Sequence, residues 1–244
     1  MTTAKRIALV LGQLLVLAVF VWLFLPGAPG RTTLGRPLVA VEWEEAPRNM
    51  RTEPLRDAHA LVLRTDAAYT VPNVPLARVR GPFTITLEAR IDRAANAQLP
   101  LVSRWTAENG GRSFQIGLQK DLRPYLTVSS NGRKDDPAEF AELNAKVAVP
   151  THKPFHLAAV FDPDERMALF LDGKLIAERV GDDRVPSSAY ASSAPLTLGL
   201  AKVPLHGVFG PLYIFDRILD DDAIAAEAAV LATRVLPGPP VIAP

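Results

Sequence analysis

Pairs of carboxylates on one strand are the residues of this sequence whose types and spacing come closest to catalysis. Retaining glycoside hydrolysis uses two carboxyl groups about 5–5.5 Å apart, and residues two positions apart on one strand face lie roughly 6.6 Å apart. Glu88 and Asp92 share one face of a predicted strand but stand four positions apart, which corresponds to roughly 13 Å. We therefore expect both to be solvated residues on the polar side of that strand.

Other combinations of reactive residues do not form a catalytic pattern either. Asp162 and Asp164 have the two-residue spacing, but Pro163 lies between them, and Glu165-Arg166 complete a composition typical of a turn. The glutamates at positions 42, 44 and 45 precede the predicted domain. Of the histidines at 59, 152, 156 and 206, only His152 and His156 stand four positions apart, and they lie at the start of a predicted strand rather than on one face of a helix. The sequence has no GxSxG, Walker or GxGxxG motif. These observations predict a protein that is not an enzyme.

Candidate ligand-binding residues lie in two polar loops. A glycan site would need an exposed aromatic side chain beside amide or guanidinium donors, and Trp105 stands at a predicted strand end close to such donors. The candidate set is Trp105, Asn109, Arg112, Asn131 and Arg133. The alternative for Trp105 is a core position, and an aromatic content of only 7% disfavours a rich carbohydrate platform. Tyr190, in a loop rich in serine and alanine, is the other aromatic residue expected to be exposed.

Acidic loop pairs raise the question of a metal. Calcium takes six to eight oxygen ligands, with several carboxylates converging. Asp135-Asp136 and Asp182-Asp183 could contribute, although a pair of acids in a loop is more commonly solvated. Calcium binding is therefore possible but unsupported, and the sequence predicts no metal site and no cofactor.

Composition excludes several classes of protein. The chain has 244 residues, with 27 basic and 26 acidic side chains and a net charge of +1. It has no run of basic residues longer than a pair, so nucleic-acid binding is not expected. The absence of cysteine excludes disulfides, a thiol nucleophile, cysteine zinc sites and a lipid-modified cysteine. The 22 prolines argue against a helical bundle.

The N-terminal region contains a candidate membrane span. Residues 7–25 are an almost uninterrupted apolar run, and a helix of that length spans roughly 28 Å, close to the thickness of a bilayer's hydrocarbon core. Lys5 and Arg6 precede the run, and no charged residue follows it before Arg31. This asymmetry predicts a cytoplasmic N-terminus with the remainder of the chain outside.

A cleaved signal peptide is the alternative interpretation of this segment. The apolar region of a signal peptide has about 7–15 residues, and the small residues Gly27-Ala28 are followed by Pro29, which is a poor context for cleavage. A buried core helix is disfavoured because no charge interrupts the run. We expect an uncleaved signal anchor in a cell membrane. An exported domain without cysteine is typical of a bacterial cell envelope.

The rest of the chain predicts one β-rich domain between two irregular segments. The expected organisation is a cytoplasmic N-terminus (1–6), the anchor (7–25), a stalk or linker (26–57), the domain (58–233) and a proline-rich tail (234–244). Within the domain, residues 83–92 alternate apolar and polar side chains with period two, and Asp172-Gly173 is a strong hairpin signal. About ten short strands, and one helix opened by three aspartates at 220–222, predict an antiparallel two-sheet sandwich.

Two stretches carry a resemblance to a known family. In the first, His156 precedes an apolar strand that ends in Phe161-Asp162, and a hairpin at 171–175 follows. In the second, Gly210 leads to residues 213–217 and then to the acid-capped helix. This succession resembles the laminin G-like domains of the concanavalin A-like lectin/glucanase superfamily, over roughly residues 58–230. The resemblance implies an all-β jelly-roll sandwich and a structural role for His156.

The resemblance leaves two functions open, because the superfamily includes glycan binders, adhesion modules, structural appendages and hydrolases. The first is a membrane-tethered extracytoplasmic module that recognises an envelope glycan or polysaccharide. The second is a protein-interaction or structural module of an envelope complex without carbohydrate binding. Either way, the expected partners are the membrane, through residues 7–25, and a glycan or protein ligand outside the cytoplasm.

Overall fold

The structure is a computed structural model, which describes residues 36–41, 51–55, 58–63, 68–72, 74–75, 79–94, 96–108, 110–181, 184–199 and 205–233. This part of the chain contains fourteen strands and one helix. The strands form two antiparallel sheets, as the sequence predicts for a two-sheet sandwich. No helix among the described residues is long and apolar enough to cross a membrane. The predicted anchor at 7–25 and the tail at 234–244 lie outside these residues.

The larger sheet has eight strands, in the order β12-β11-β10-β5-β14-β3-β2, with β1 also paired to β14. Its strands are β1 (Val39–Val41), β2 (Arg51–Leu55), β3 (Ala58–Leu63), β5 (Phe83–Ala94), β10 (Pro154–Asp162), β11 (Arg166–Leu171), β12 (Lys174–Val180) and β14 (Leu205–Phe215). β1 and β2 lie within the segment 26–57 that the sequence assigned to a linker. The sheet therefore begins before residue 58.

The smaller sheet has six strands, in the order β4-β13-β6-β7-β8-β9. They are β4 (Tyr69–Thr70), β6 (Leu99–Trp105), β7 (Arg112–Leu118), β8 (Pro124–Ser129), β9 (Phe140–Asn144) and β13 (Thr197–Leu198). The two sheets enclose the main core. Phe83 of the larger sheet illustrates the contact, because its ring lies 5.2 Å from that of Phe114 in the smaller sheet and 5.2 Å from that of Phe161.

Helix α1 (Asp221–Thr233) covers part of the outer face of the larger sheet. It begins where Asp220 Oδ1 accepts a hydrogen bond of 2.7 Å from the Ala223 amide, which satisfies one N–H of the first turn. Ile224 packs with a small apolar cluster that includes Phe170 and Phe215. Arg166 holds the N-terminal end of the helix through two hydrogen bonds to the Asp221 carboxylate, at 2.8 and 3.1 Å.

The sandwich has two distinct ends, which the strand directions define. β1 begins at Val39, which pairs with Ile214, one residue before the end of β14. The backbone carbonyl of Arg36 accepts a hydrogen bond from Arg217 at the same end. We call this the near end, and it also holds the loops 106–111, 130–139 and 184–196. The opposite, far end holds the loop 96–98 and the β7–β8 turn at 119–123.

Candidate functional site

The outer face of the smaller sheet is polar. In β7 and β8 the residues Phe114, Ile116, Leu126 and Val128 belong to the core. Alternation along a strand therefore turns Gln115, Tyr125 and Thr127 to the opposite face. In β9 the same argument places Glu142 and Asn144 outward, because Ala141 and Leu143 are in the core.

Strand register aligns these outward residues into a continuous line. Consecutive pairing connects Thr70 to Thr197, Thr197 to Ser103, Ser103 to Gln115, Gln115 to Thr127, and Thr127 to Glu142. We call these six residues the polar row. Directly opposed residues on one face lie about 4.5–5.5 Å apart at Cβ, so the row crosses the sheet as a strip of hydroxyl, amide and carboxylate groups. Ser103 and Thr127 in this strip are buried, and the other four members are at least partly exposed.

Hydrogen bonds fix the centre of the polar row. Gln115 Oε1 accepts a bond of 2.7 Å from the Tyr125 hydroxyl, and Gln115 Nε2 donates one of 3.2 Å to Ser103 Oγ. Tyr125 lies against Gly117, where an added Cβ would stand 2.7 Å from the tyrosine oxygen. The Gln115 amide is thus held on both sides, and the second N–H on its Nε2 is used by neither of these hydrogen bonds.

Tyr125 also makes the row sensitive to alkaline pH. Burial, followed by the nearby charge of Glu142, raises the pKa of the Tyr125 phenol well above its usual value. The folded protein therefore keeps this proton where an unfolded tyrosine loses it, so stability is complete below about pH 10 and falls as the pH rises further. Between pH 10 and 11, we expect the Tyr125→Phe variant to lose about 1 kcal/mol less unfolding free energy than the wild type. Urea titrations at each pH test this, and equal losses would contradict it.

A cavity of about 390 Å³ opens at the far end of the same sheet. It is lined by residues 96–98 and by Gln119, Lys120, Asp121, Arg123 and Asn144. Such a volume is within the range of small-molecule sites. Seven of its eight lining residues carry an amide or a charge that can bond to ligand hydroxyls, whereas apolar atoms supply the larger share of its surface.

A hydrogen-bonded link joins this cavity to the polar row. Gln119 Nε2 donates to Asn144 Oδ1 at 2.6 Å and to Glu142 Oε1 at 3.2 Å. Asn144 Nδ2 donates to the same Glu142 oxygen at 2.9 Å. Asn144 and Gln119 line the cavity, whereas Glu142 belongs to the row, so the two features form one polar surface.

Trp105 and Arg112, two of the residues selected from sequence, are in contact at the near end. The Arg112 guanidinium carbon lies 5.8 Å from the centre of the Trp105 ring, and the Phe140 ring meets Trp105 edge-on at 6.1 Å. Trp105 is half-buried, and Arg112 is buried with its NH2 group donating to the Ala107 carbonyl at 2.5 Å. Arg112 thus covers Trp105 and supports the loop that follows it.

Asn131 and Arg133 occupy the neighbouring loop. Asn131 Oδ1 accepts from the Arg133 amide at 2.9 Å, and its Nδ2 donates to Asp136 at 3.1 Å. Arg133 is exposed and pairs with Asp135 at 2.8 Å, and this hydrogen bond lowers the pKa of the Asp135 carboxyl to about 2. The Gly110 amide donates to the Gly132 carbonyl at 3.1 Å, so the two predicted loops are brought together. Asn109 lies outside the described residues.

Tyr190 completes this near-end cluster. Its ring lies beside Gly132, where an added Cβ would stand 2.8 Å from two ring carbons, and its amide donates to the Ser129 carbonyl at 2.8 Å. Tyr190 is half-buried rather than fully exposed. The near end therefore joins the predicted residues through internal contacts, and a ligand-binding role for them stays a prediction.

The carboxylates considered for catalysis are dispersed. Glu88 is buried, at 3% exposure, which differs from the solvated position that the sequence suggested. The reason is that β5 is a central strand of the larger sheet, where Glu88 stands opposite the equally buried His156. Asp92 accepts a hydrogen bond of 2.8 Å from Arg90 Nε, and Asp162 stands opposite Arg166 in the β10–β11 strand register, across the predicted turn. The described residues contain no group of three or more potential metal ligands; Asp182 and Asp183 lie outside them.

A family model for the concanavalin A-like lectin/glucanases superfamily, of laminin G type, matches residues 63–225. The chain belongs to this family. The match covers well over half of the sequence and confirms the resemblance drawn from the two motif stretches. No curated protein matches the chain in sequence.

Several solved structures share the fold of this laminin G-like domain. The botulinum neurotoxin serotype G binding domain has a TM-score of 0.64 at 9% identity, over 81% of this chain and 52% of that one. The binding domain of Paraclostridial Mosquitocidal Protein 1 has a TM-score of 0.60 at 11% identity, over 84% of this chain and 51% of that one. The Ruminococcus gnavus IT-sialidase CBM40 bound to α2,3 sialyllactose has a TM-score of 0.58 at 16% identity, over 80% of this chain and 99% of that one. The chain thus spans about half the length of the toxin domains and nearly all of the carbohydrate-binding module.

The polar surface at the smaller sheet was missed from sequence. Glu142 and Asn144 lie on a strand that the sequence does not predict, and Gln115 is a single glutamine in an apolar stretch. The available signal was the alternation of Ala141 and Leu143 with polar neighbours, but it extends over only five residues. The alignment of the row depends on the register between neighbouring strands, and the sequence of one strand does not contain that information.

Proposed function

We propose that this laminin G-like domain is a non-catalytic glycan-binding module whose ligand lies across the polar row and enters the far-end cavity. The observation that carries the proposal is the continuity of the two features through Gln119, Asn144 and Glu142. Sugar hydroxyls both donate and accept hydrogen bonds, and side-chain amides offer both functions in one plane. A surface built from amides, hydroxyls and one carboxylate therefore matches a saccharide.

Several hydrogen-bond donors and acceptors of this surface remain available to a ligand after its internal hydrogen bonds are counted. Asn144 uses one oxygen lone pair and one N–H internally, so one of each is left. Within the described part of the chain, the side-chain amides of Asn96 and Gln98 make no hydrogen bond. These groups face the cavity and are available to hydroxyls.

The known relatives support a binding role rather than catalysis. Two of the solved structures named above are described as binding domains, and the third is a carbohydrate-binding module bound to sialyllactose. Glu88 and Asp92 are separated by four positions on β5, and Glu88 is buried, so they do not offer the paired carboxyl groups that retaining hydrolysis requires.

The proposed location is outside the cytoplasm, with residues 7–25 as a membrane anchor. Ten residues separate this segment from Arg36, and an extended chain of that length reaches at most about 36 Å. Because Arg36 lies at the near end, the anchor would hold that end close to the membrane and direct the far-end cavity away from it. N-terminal sequencing of the mature protein tests the anchor, since a new start near residue 29–31 would show cleavage instead.

Binding by the full chain, inserted in nanodiscs and applied to an array of bacterial polysaccharides and oligosaccharides, tests the proposed function. For a glycan that binds, we expect Asn144→Ala to weaken affinity about 3- to 10-fold, the cost of one or two neutral hydrogen bonds. Arg133→Ala is the matched control, because Arg133 is also exposed but belongs to the near end. Loss of binding in the arginine variant alone would move the site to the predicted near-end residues. Absence of binding to any glycan would contradict the proposal.

A protein-interaction module is the second candidate, and one observation favours it. β12 forms an edge of the larger sheet, and Leu175 and Val180 on it are 44% and 52% exposed. An edge strand with exposed apolar side chains can pair with a strand of another protein. Crosslinking in the cell envelope that recovers one specific protein through β12, together with an array that shows no glycan, would establish this function instead.

A further inference from the structure

The far-end cavity has an uneven charge distribution. Lys120, Asp121 and Arg123 all lie on the β7–β8 turn and line it. Arg123 Nε and Asp121 Oδ2 form a salt bridge of 2.7 Å, so these two charges compensate each other. Lys120 makes no ion pair or hydrogen bond within the described part of the chain. One positive charge is therefore left at the cavity without a partner.

The turn that carries this lysine is held in place by backbone hydrogen bonds. The Gln119 amide donates to the Arg123 carbonyl, and the Leu122 amide donates to the Gln119 carbonyl, each at 2.8 Å. Leu122 has a φ of 63°, which closes the turn tightly. Lys120 is thus presented at the cavity by an ordered backbone, although its own side chain is exposed.

Glu142, the carboxylate that Gln119 and Asn144 connect to the cavity, does not neutralise the lysine. Glu142 has no ion pair with Lys120, and its Oε1 already accepts hydrogen bonds from Gln119 and Asn144. Those amides stand between Glu142 and the cavity. A ligand that supplies its own negative group would consequently meet an uncompensated cation at Lys120 and unoccupied amides at Asn96 and Gln98.

We propose that the cavity is a subsite for a carboxylate-bearing sugar, with the carboxylate paired to Lys120 and the hydroxyls bonded to the amides of Asn96, Gln98 and Asn144. This inference rests on the proposed glycan-binding function and specifies its ligand class. A charge-assisted hydrogen bond at this position favours the acidic sugar over its uncharged counterpart. The site is open to solvent, so added salt weakens the preference.

Matched pairs of saccharides test the proposal with the full chain in nanodiscs. The probes are oligogalacturonate against its methyl ester, and sialyllactose against its methyl ester, because the members of each pair differ only in whether the carboxylate is ionised. We expect at least one acidic member to bind about 3- to 5-fold more tightly than its neutral partner, the contribution of one solvent-exposed ion pair. Lys120→Gln should remove that difference, and Lys120→Arg should restore it. Lys153→Gln is the control, since it makes the same charge change at the same end of the sandwich outside the cavity.

The possible outcomes separate this inference from the proposed function. Equal affinity for acidic and neutral members, or an acidic preference that persists in Lys120→Gln, overturns the inference and leaves glycan binding intact. Binding of neutral glycans alone has the same consequence. Absence of binding to these pairs and to every glycan of the array overturns both.

Discussion

Replacing Gly117 by alanine is expected to lower the free energy of unfolding by about 3 kcal/mol and to abolish ligand binding at the polar row. The added Cβ would stand 2.3 Å from the Leu99 carbonyl oxygen, 2.7 Å from the Tyr125 hydroxyl and 2.8 Å from its ring. A backbone atom of the neighbouring strand cannot move away without breaking the β6–β7 pairing. The Tyr125 ring must move as well, which removes the hydrogen bond that orients Gln115.

Urea unfolding followed by circular dichroism measures the stability part of this prediction. Gly81→Ala is the matched control, because an added Cβ there meets nothing within 4 Å. We expect the control to retain the wild-type midpoint within about 0.5 kcal/mol. Equal stability of the Gly117 and Gly81 variants would contradict the close approach of Tyr125 to β7.

Replacing Gly173 by alanine is expected to cost a similar amount, about 3 kcal/mol, by two separate effects. Gly173 has a φ of 77°, a conformation that costs an alanine about 1–2 kcal/mol. Its added Cβ would also stand 2.9 Å from the Ala225 Cα and 3.0 Å from the Ala228 Cβ. The β11–β12 hairpin and helix α1 would therefore have to separate.

Hydrogen exchange distinguishes this local separation from a general loss of stability. We expect the amides of 221–233 to exchange faster in Gly173→Ala than those of the smaller sheet. Gly181→Ala controls for backbone conformation, because its φ is also positive, at 34°, but an added Cβ there meets nothing within 4 Å. Unchanged exchange of the helix in Gly173→Ala would show that α1 is not packed on this hairpin.

The fold could be predicted because its strongest signals are local. Asp172-Gly173 predicts a two-residue hairpin, and both residues have the positive φ angles, 49° and 77°, that such a turn requires. The alternation in 83–92 predicts β5, and the apolar residues of this alternating stretch, from Phe83 to Ile91, all lie in the core. Phe155 to Phe161, a nearly continuous apolar run, forms the buried part of β10. The helix begins within a run of three aspartates, at Asp221.

The failures have a common physical origin in tertiary contacts. β1 has only three residues and β9 only five, so neither contains enough alternation to be recognised. Glu88 is buried because its strand, β5, lies between β10 and β14 in the sheet, and the residue pattern of a single strand does not show which strands flank it. The pairing of Trp105 with Arg112 follows from the β6–β7 hairpin. The polar row does not follow from the hairpin alone, because two register shifts in it, at Pro100/Val102 and at Arg104/Trp105, determine which residues stand opposite each other.

The location of a bound glycan distinguishes the surface formed by the polar row and the far-end cavity from the near end and the β12 edge. Hydrogen–deuterium exchange of the full chain in nanodiscs, with and without a glycan that binds, reports which segments are covered. We expect added protection of the loop at 96–98, of the β7–β8 turn at 119–123 and of residues 142–146 at the end of β9. Protection confined to 106–111 and 130–139 at the near end, or to the β12 edge, would contradict this expectation.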